Sequence, residues 1–279
     1  MKAIYKFALL ACLATFGLAA GGCGVINELR AKDTLNQGVQ EYNDGKYEAA
    51  EVKFAEALKL DPNMVNAQLF HAHTIKAQFD QNAVEELGQQ ALKEYDKIIA
   101  DNQGKNEKVV DQALGFEIKI YEALARNAGA KSEKDKQLRY VEEQRGAMVK
   151  RADNSSNDEV KAATHHALAA SYWDESYYGN SQQYTSYGRP IPDDVAKKMK
   201  PLIEKGLTHI NESLSLNSAP PDAWVFKRLL LYEQLKIESN PENKKVLEAR
   251  IKETGDMYEK KRKEQQEKQA SEGTQAATQ

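Results

Sequence analysis

The five histidines are the residues best suited to metal or acid–base chemistry, and their spacing argues against both. His71 and His73 lie two apart in a stretch of helical periodicity, which turns them to different sides, so they cannot share a metal ion. His165 and His166 are adjacent and meet the same objection, while His209 stands alone. The sequence holds no HExxH, CxxC or carboxylate–histidine grouping, no GxSxG, and no glycine-rich phosphate loop or dinucleotide fingerprint. The expectation is a protein with no metal, no cofactor and no catalytic residue, and therefore not an enzyme. With 39 basic residues against 42 acidic ones and no basic stripe, nucleic acid is not an expected partner either.

The cysteines suggest different chemistry. Only Cys12 and Cys23 occur, and both lie near the N-terminus. Lys2 and Lys6 precede an apolar run, 7–20, that is long enough for a signal-peptide core and too short for a bilayer span. Ala19-Ala20-Gly21-Gly22 then places small residues directly before Cys23. This resembles a bacterial lipoprotein signal, although Ala20 stands where leucine is commonest. The resemblance implies that 1–22 is a signal peptide, that Cys23 is the lipidation site, and that the mature chain sits on the extracytoplasmic side of the cell envelope. Gly24 stands where an aspartate would signal inner-membrane retention, which tilts the expectation toward the outer membrane. Loss of Lys2 and Lys6 would leave 37 basic residues against 42 acidic.

The candidate recognition chemistry is aromatic. Tyr172, Trp173, Tyr177, Tyr178, Tyr184 and Tyr187 crowd a short stretch beside Asp174, Glu175 and Arg189. Rings with a polar tip make good recognition anchors. Residues 179–192, with Gly, Asn, Ser, Gln and two prolines, read as a connection much longer than a tight turn, and long connections often carry function. The basic run Lys260-Lys261-Arg262-Lys263 alternates with glutamates and reads as a solvated helix face.

The elements that must position these residues are set by the stretch 35–62. Leu35, Gly38 and Tyr42 fall on one stripe, and Tyr47, Ala50, Phe54, Ala57, Leu58 and Leu60 on another, with a reversal at Asp44-Gly45. Gly38 and Ala50 permit close backbone approach, and Pro62 stops the second helix. Gly38, Tyr42, Gly45, Tyr47, Ala50, Phe54, Ala57, Leu58, Leu60 and Pro62 resemble the 34-residue unit of the tetratricopeptide (TPR) repeat. Ala72 follows Gly38 by one period.

Further helices are predicted over 65–79, 83–99, from 109, over 133–151 and over 160–173. Another starts at 193, where Pro201 is expected to kink or restart it. In the next pair, Trp224 falls at a position where the family often has tryptophan, while Lys227-Arg228 replaces the usual Leu-small dipeptide. The expected fold is all-α, a TPR-like α-solenoid of four to five antiparallel helix pairs. Its expected organisation is a signal peptide over 1–22, a tether over 23–33, repeats over 34–245, a polar capping helix over 246–268 and a disordered tail over 269–279.

The TPR resemblance implies a protein–protein interaction scaffold or adaptor that holds segments of envelope proteins on a concave face. Gln37, Glu41, Asn66, Phe70 and His73 are the expected partner-binding residues there, joined by Tyr177, Tyr178, Tyr184 and Tyr187. Two alternatives are a structural subunit of an envelope assembly complex and a small-ligand binder with the Tyr-rich stretch as lid.

Overall fold

The computed structural model describes residues 25–276, and every regular element among them is helical. The chain divides into two compact units at Val141/Glu142. In the first unit, α1 covers 25–43 and α2 Tyr47–Leu60, followed by α3 Val65–Asn82, α4 Glu85–Asn102 and α5 Glu107–Ala130. α6, Lys134–Asn154, carries the chain from the first unit into the second.

The turns follow from local chemistry. Gly45 takes the left-handed backbone at φ 75° that reverses the chain between α1 and α2, and Lys46 bonds Asp44 at 3.0 Å. Asp61 is extended because Pro62 follows it, so α2 ends at Leu60. Asn106 caps α5 by accepting from the Val109 backbone N–H at 3.3 Å.

Short turns make sequential helices antiparallel neighbours, and α2 packs on α3, α3 on α4 and α4 on α5. These are stacked antiparallel helix pairs. Leu69, Ile75, Phe79, Tyr95, Ile98, Ile120 and Leu124 form one continuous core between them. The Gly38 backbone lies so close to the Phe54 ring that a Cβ there would come within 2.6 Å of it.

In the second unit, α7 spans Asp158–Ser176 and runs into a π-helical segment, Tyr177–Ser181, and the short α8, Gln182–Thr185. α9 (Asp193–Ser215), α10 (Ala223–Ile237) and α11 (Pro241–Ala276) follow. α7 packs on α9, α9 on α10 and α10 on α11. At Gly206 a Cβ would meet Leu230 at 2.7 Å, repeating the small-against-large device of Gly38. The Ser213 hydroxyl donates to the Ala162 carbonyl at 2.8 Å and pins α9 to α7.

Four expectations change. Residues 25–33, read as tether, are helical: Ala31 is fully buried and Glu28 pairs with Lys32 at 2.7 Å, one turn apart. The expected loop over 179–192 is helical through Thr185, because α7 carries on through a π turn that absorbs the extra residues. α9 passes Pro201 without a break, since Val195 and Met199 before it and Ile203, Gly206 and Ile210 after it are buried on one stripe. α11 starts at Pro241 and reaches Ala276, into the segment read as a disordered tail, with abundant Glu, Gln and Lys favouring the helix. Lys227-Arg228 is accommodated because the Arg228 side chain lies against Gly255 of α11, 3.3 Å from where a Cβ would stand.

The two kinds of helical glycine should respond in opposite ways. Gly146 of α6 is exposed with open space around it, so Gly146→Ala should stabilise by about 0.5–1 kcal/mol through helix propensity. Phe54 is fully buried and cannot swing aside, so Gly38→Ala should destabilise by about 1 kcal/mol, net of the same propensity gain. Urea unfolding midpoints of the two variants test both signs.

Candidate functional site

In the first unit an unbroken row of rings runs across the first helices of successive pairs. Tyr42 of α1 meets Phe70 of α3 with centroids 6.3 Å apart, Phe70 meets His73 at 6.5 Å, and His73 meets Phe116 of α5 at 4.2 Å. The second helices back this row from beneath. Phe54 of α2 stacks on Phe70 at 5.4 Å, and Tyr95 of α4 stacks on Phe116 at 5.6 Å. Phe54 and Tyr95 are fully buried, whereas Tyr42, Phe70, His73 and Phe116 are half-buried. Each ring therefore has one side fixed by packing and part of its surface open to solvent. Tyr47 extends the row against Tyr42 at 5.2 Å, and the Lys119 ammonium lies 5.6 Å from the Phe116 centroid.

His73 is the polar centre of the row. Its Nδ1 lies 2.5 Å from the Tyr95 hydroxyl, and the Gln112 amide stands 3.5 Å from Nε2. Burial pushes the imidazole pKa down to about 4, and Lys76 adds a smaller repulsion. Burial also raises the Tyr95 hydroxyl, which stays protonated and donates to Nδ1. At neutral pH the centre of the row is an uncharged hydrogen-bonding ring among apolar ones.

The expected partner-binding residues divide between this row and its edges. Phe70 and His73 belong to it. Gln37 is exposed and donates to Asp33 at 2.9 Å, Glu41 pairs with Lys46 at 3.2 Å, and Asn66 is exposed at the start of α3. The sequence reading missed Phe116 and Gln112. They sit 43 and 42 positions after His73 and Phe70, so the 34-residue period does not find them. A search for aromatics on the outer side of the next Leu-small helix would have reached Phe116.

Of the four tyrosines of the second unit, Tyr177 and Tyr178 meet edge-on with centroids 4.8 Å apart, and the others are placed by different contacts. Tyr177 stacks on Trp173 at 5.3 Å beneath the Lys236 ammonium, and Tyr184 packs against Val195, Met199 and Ile203. Tyr178 is 61% exposed and Tyr187 74% exposed, with Arg189 over the latter ring at 5.5 Å. Trp173 also meets Phe226 at 5.8 Å, so the aromatic concentration read from sequence is largely an inter-helix packing cluster. The basic run on α11 is ion-paired within its own helix, Arg262 to Glu259 at 2.8 Å and Lys261 to Glu264 at 2.9 Å. Cys23 and the signal segment lie outside the described residues.

One reading of the histidines is corrected. His209 is not alone: α9 brings it to His165 of α7, Nδ1 to Nδ1 at 3.2 Å, and Glu212 lies beside both. A carboxylate–histidine grouping is therefore present, with His165 brought 44 positions along the chain to the His209–Glu212 pair. Nearby, Arg145 is almost fully buried and holds α6 to α7. It bonds Glu175 at 2.7 Å, Glu142 at 3.1 Å and the Ser171 carbonyl at 2.7 Å, with its guanidinium 4.1 Å from the Tyr172 centroid.

No family model matches this chain, and no curated protein matches it significantly. Among solved structures it is similar to one described as the crystal structure of APC/C hetero-tetramer Cut9-Hcn1, at 16% identity and a TM-score of 0.24. That alignment covers 79% of this chain and 42% of the other, so the chain spans less than half the length of the structure it matches. The assignment of an all-helical, pairwise-stacked fold rests on the helices described above.

The depressed His73 pKa sets a pH dependence. The unfolded chain takes up this proton near pH 6.5 and the folded chain only near 4, so the folded state is favoured fully above 6.5 and progressively less as pH falls to 4. His73→Gln should remove this component. The stability advantage of wild type over variant is expected to shrink by up to about 3 kcal/mol between pH 7 and pH 4, read from chemical unfolding at several pH values.

Proposed function

We propose that this chain is a non-catalytic protein-interaction scaffold that holds an extended or helical segment of another envelope protein along the row Tyr42–Phe70–His73–Phe116. The observation that carries this reading is the continuity of half-buried rings across three successive first helices, with Phe70 and Phe116 each fixed from behind by a buried aromatic. Rings already immobilised lose little conformational freedom when a partner covers them. The uncharged His73 and the exposed Gln112 supply hydrogen-bonding groups among them, which is the chemistry a peptide backbone needs.

The same reading takes the protein to be lipid-anchored through Cys23 on the extracytoplasmic face of a bacterial membrane, with the outer membrane favoured. The support is in the sequence alone: the short apolar run, the small residues before Cys23 and the lone cysteine that would remain. Several acyl chains on one residue give stable anchoring, because each buried methylene adds to the affinity. The lid reading gains nothing from the tyrosines, since Tyr177 and Tyr184 are committed to packing.

A photo-crosslinking residue at Gln112 should capture an envelope protein, with the adduct mapping to one short segment. A synthetic peptide of that segment should bind the full chain. Phe70→Leu and Phe116→Leu together should weaken that peptide by about tenfold or more, whereas Tyr178→Ala should not change it. Equal binding by the double variant and wild type would reject the row as the docking face. A fixed-stoichiometry complex that survives purification would instead point to a structural subunit.

Anchoring is tested separately. Cys23→Ser should abolish incorporation of a labelled fatty acid and shift the protein out of the membrane fraction. Unchanged labelling would remove Cys23 as the attachment site.

A further inference from the structure

The seam between α7 and α9 contains a set of side chains that the scaffold reading does not use. His165 Nδ1 comes from α7, and His209 Nδ1 and Glu212 Oε2 come from α9, one helical turn apart. The three atoms form a nearly equilateral triangle: 3.2 Å between the two nitrogens, 3.1 Å from His165 to Glu212 and 2.9 Å from His209 to Glu212.

Protons alone do not satisfy this triangle. If one nitrogen carries a hydrogen, the other nitrogen and the carboxylate oxygen confront each other as acceptors at close range. If both carry one, a single oxygen must accept two donors crowded to 3.2 Å, at an angle much narrower than its lone pairs provide. A cation capping the triangle takes one lone pair from each atom and leaves no repulsive edge. The spacing suits that role, because donors about 2.0–2.1 Å from a tetrahedral ion are about 3.3 Å from one another.

The surroundings resemble a built site more than a chance encounter of surface groups. The side chains of His165 and His209 are only 17% and 18% exposed, while Glu212 is 48% exposed and opens the site to solvent. His209 stacks on Tyr172 with centroids 5.9 Å apart and planes 8° from parallel, and Tyr172 is held in turn by Arg145. The nearby Ser213–Ala162 bond fixes the two helices in register at the same seam. Side-chain positions on rigid, packed helices give a ligand set little freedom to disperse.

We propose that His165, His209 and Glu212 bind one divalent transition-metal ion, Zn2+ in the first place, that clamps α7 to α9. Two imidazoles and one carboxylate favour ions of the zinc, cobalt, nickel and copper group over Mg2+ or Ca2+, which prefer all-oxygen sites. Three protein ligands leave a fourth position for water at the Glu212 side. Bridging ligands up to 47 positions apart in sequence, His165 and Glu212, the ion stabilises the pairing that the long connection over 177–192 leaves to side chains alone.

The test uses the full chain in detergent, stripped with EDTA and titrated with Zn2+ and Co2+ by calorimetry and visible absorption. One equivalent should bind, Co2+ should give the intense visible bands of a low-coordinate site, and saturating Zn2+ should raise Tm by about 5 °C or more. Glu212→Gln, at an exposed position that should not disturb folding, should weaken Zn2+ by at least about tenfold, and His209→Gln by more. His71→Gln serves as the control and should leave the affinity unchanged. Failure of wild type to bind one equivalent overturns the proposal. So does binding that is unchanged in Glu212→Gln, or that His71→Gln weakens equally.

Discussion

Close approach of a small residue to a large one is the constraint on which the helix pairing depends. A helix pair has too little interior to bury its own apolar stripe, so its large side chains must enter the backbone groove of a neighbour. Phe54 does this at Gly38, Leu230 at Gly206, and Phe79 with Leu124 at Gly88. Where the small residue is missing, the pairing changes character. On α10 the Leu-small dipeptide is replaced by Lys227-Arg228, and the fit is restored from the other side by Gly255.

That packing fixes the aromatic row of the first unit. Once Phe54 and Tyr95 are locked beneath, Phe70 and Phe116 have nowhere to turn, and their outer surfaces form a fixed ribbon. The charge state of His73 follows from the same burial: desolvation keeps the ring neutral, and a neutral ring can sit among phenyl groups without a buried charge. A surface that is apolar and rigid yet carries hydrogen-bonding groups is suited to a peptide.

The second unit solves the same packing problem with more polar means. Arg145 is buried with its guanidinium shared among Glu175, Glu142 and Ser171 and stacked on Tyr172. Buried arginine is tolerated only when every donor finds an acceptor. Ser181 likewise donates to the buried Glu233 at 2.6 Å and Lys236 pairs with the same carboxylate at 2.5 Å, which ties the π-helical turn to α10. These contacts order the stretch that reads as a long loop, and they take Tyr177 and Tyr184 out of the set of free recognition residues.

The sequence by itself determined the helix pair over 35–62, because Gly45, Pro62 and the apolar stripes are local signals that need no partner to act. It also placed most helix boundaries within a few residues, as with 65–79 against Val65–Asn82 and 160–173 against Asp158–Ser176. Phe70 and His73, expected as partner-binding residues, were legible as candidates because they stand in the unit next to that pair, and packing places both in the aromatic row. Tertiary structure alone decided the rest. α3 and α4 with their turns take 42 residues from Val65 to Glu107, more than the 34-residue unit, so the period drifts and Phe116 joins the row only when the helices stack. The continuity of α9 through Pro201 depends on burial on both sides of the proline. His209 and Glu212 stand one turn apart on α9, but His165 reaches them only because α7 lies on α9, a contact that packing creates and no spacing records.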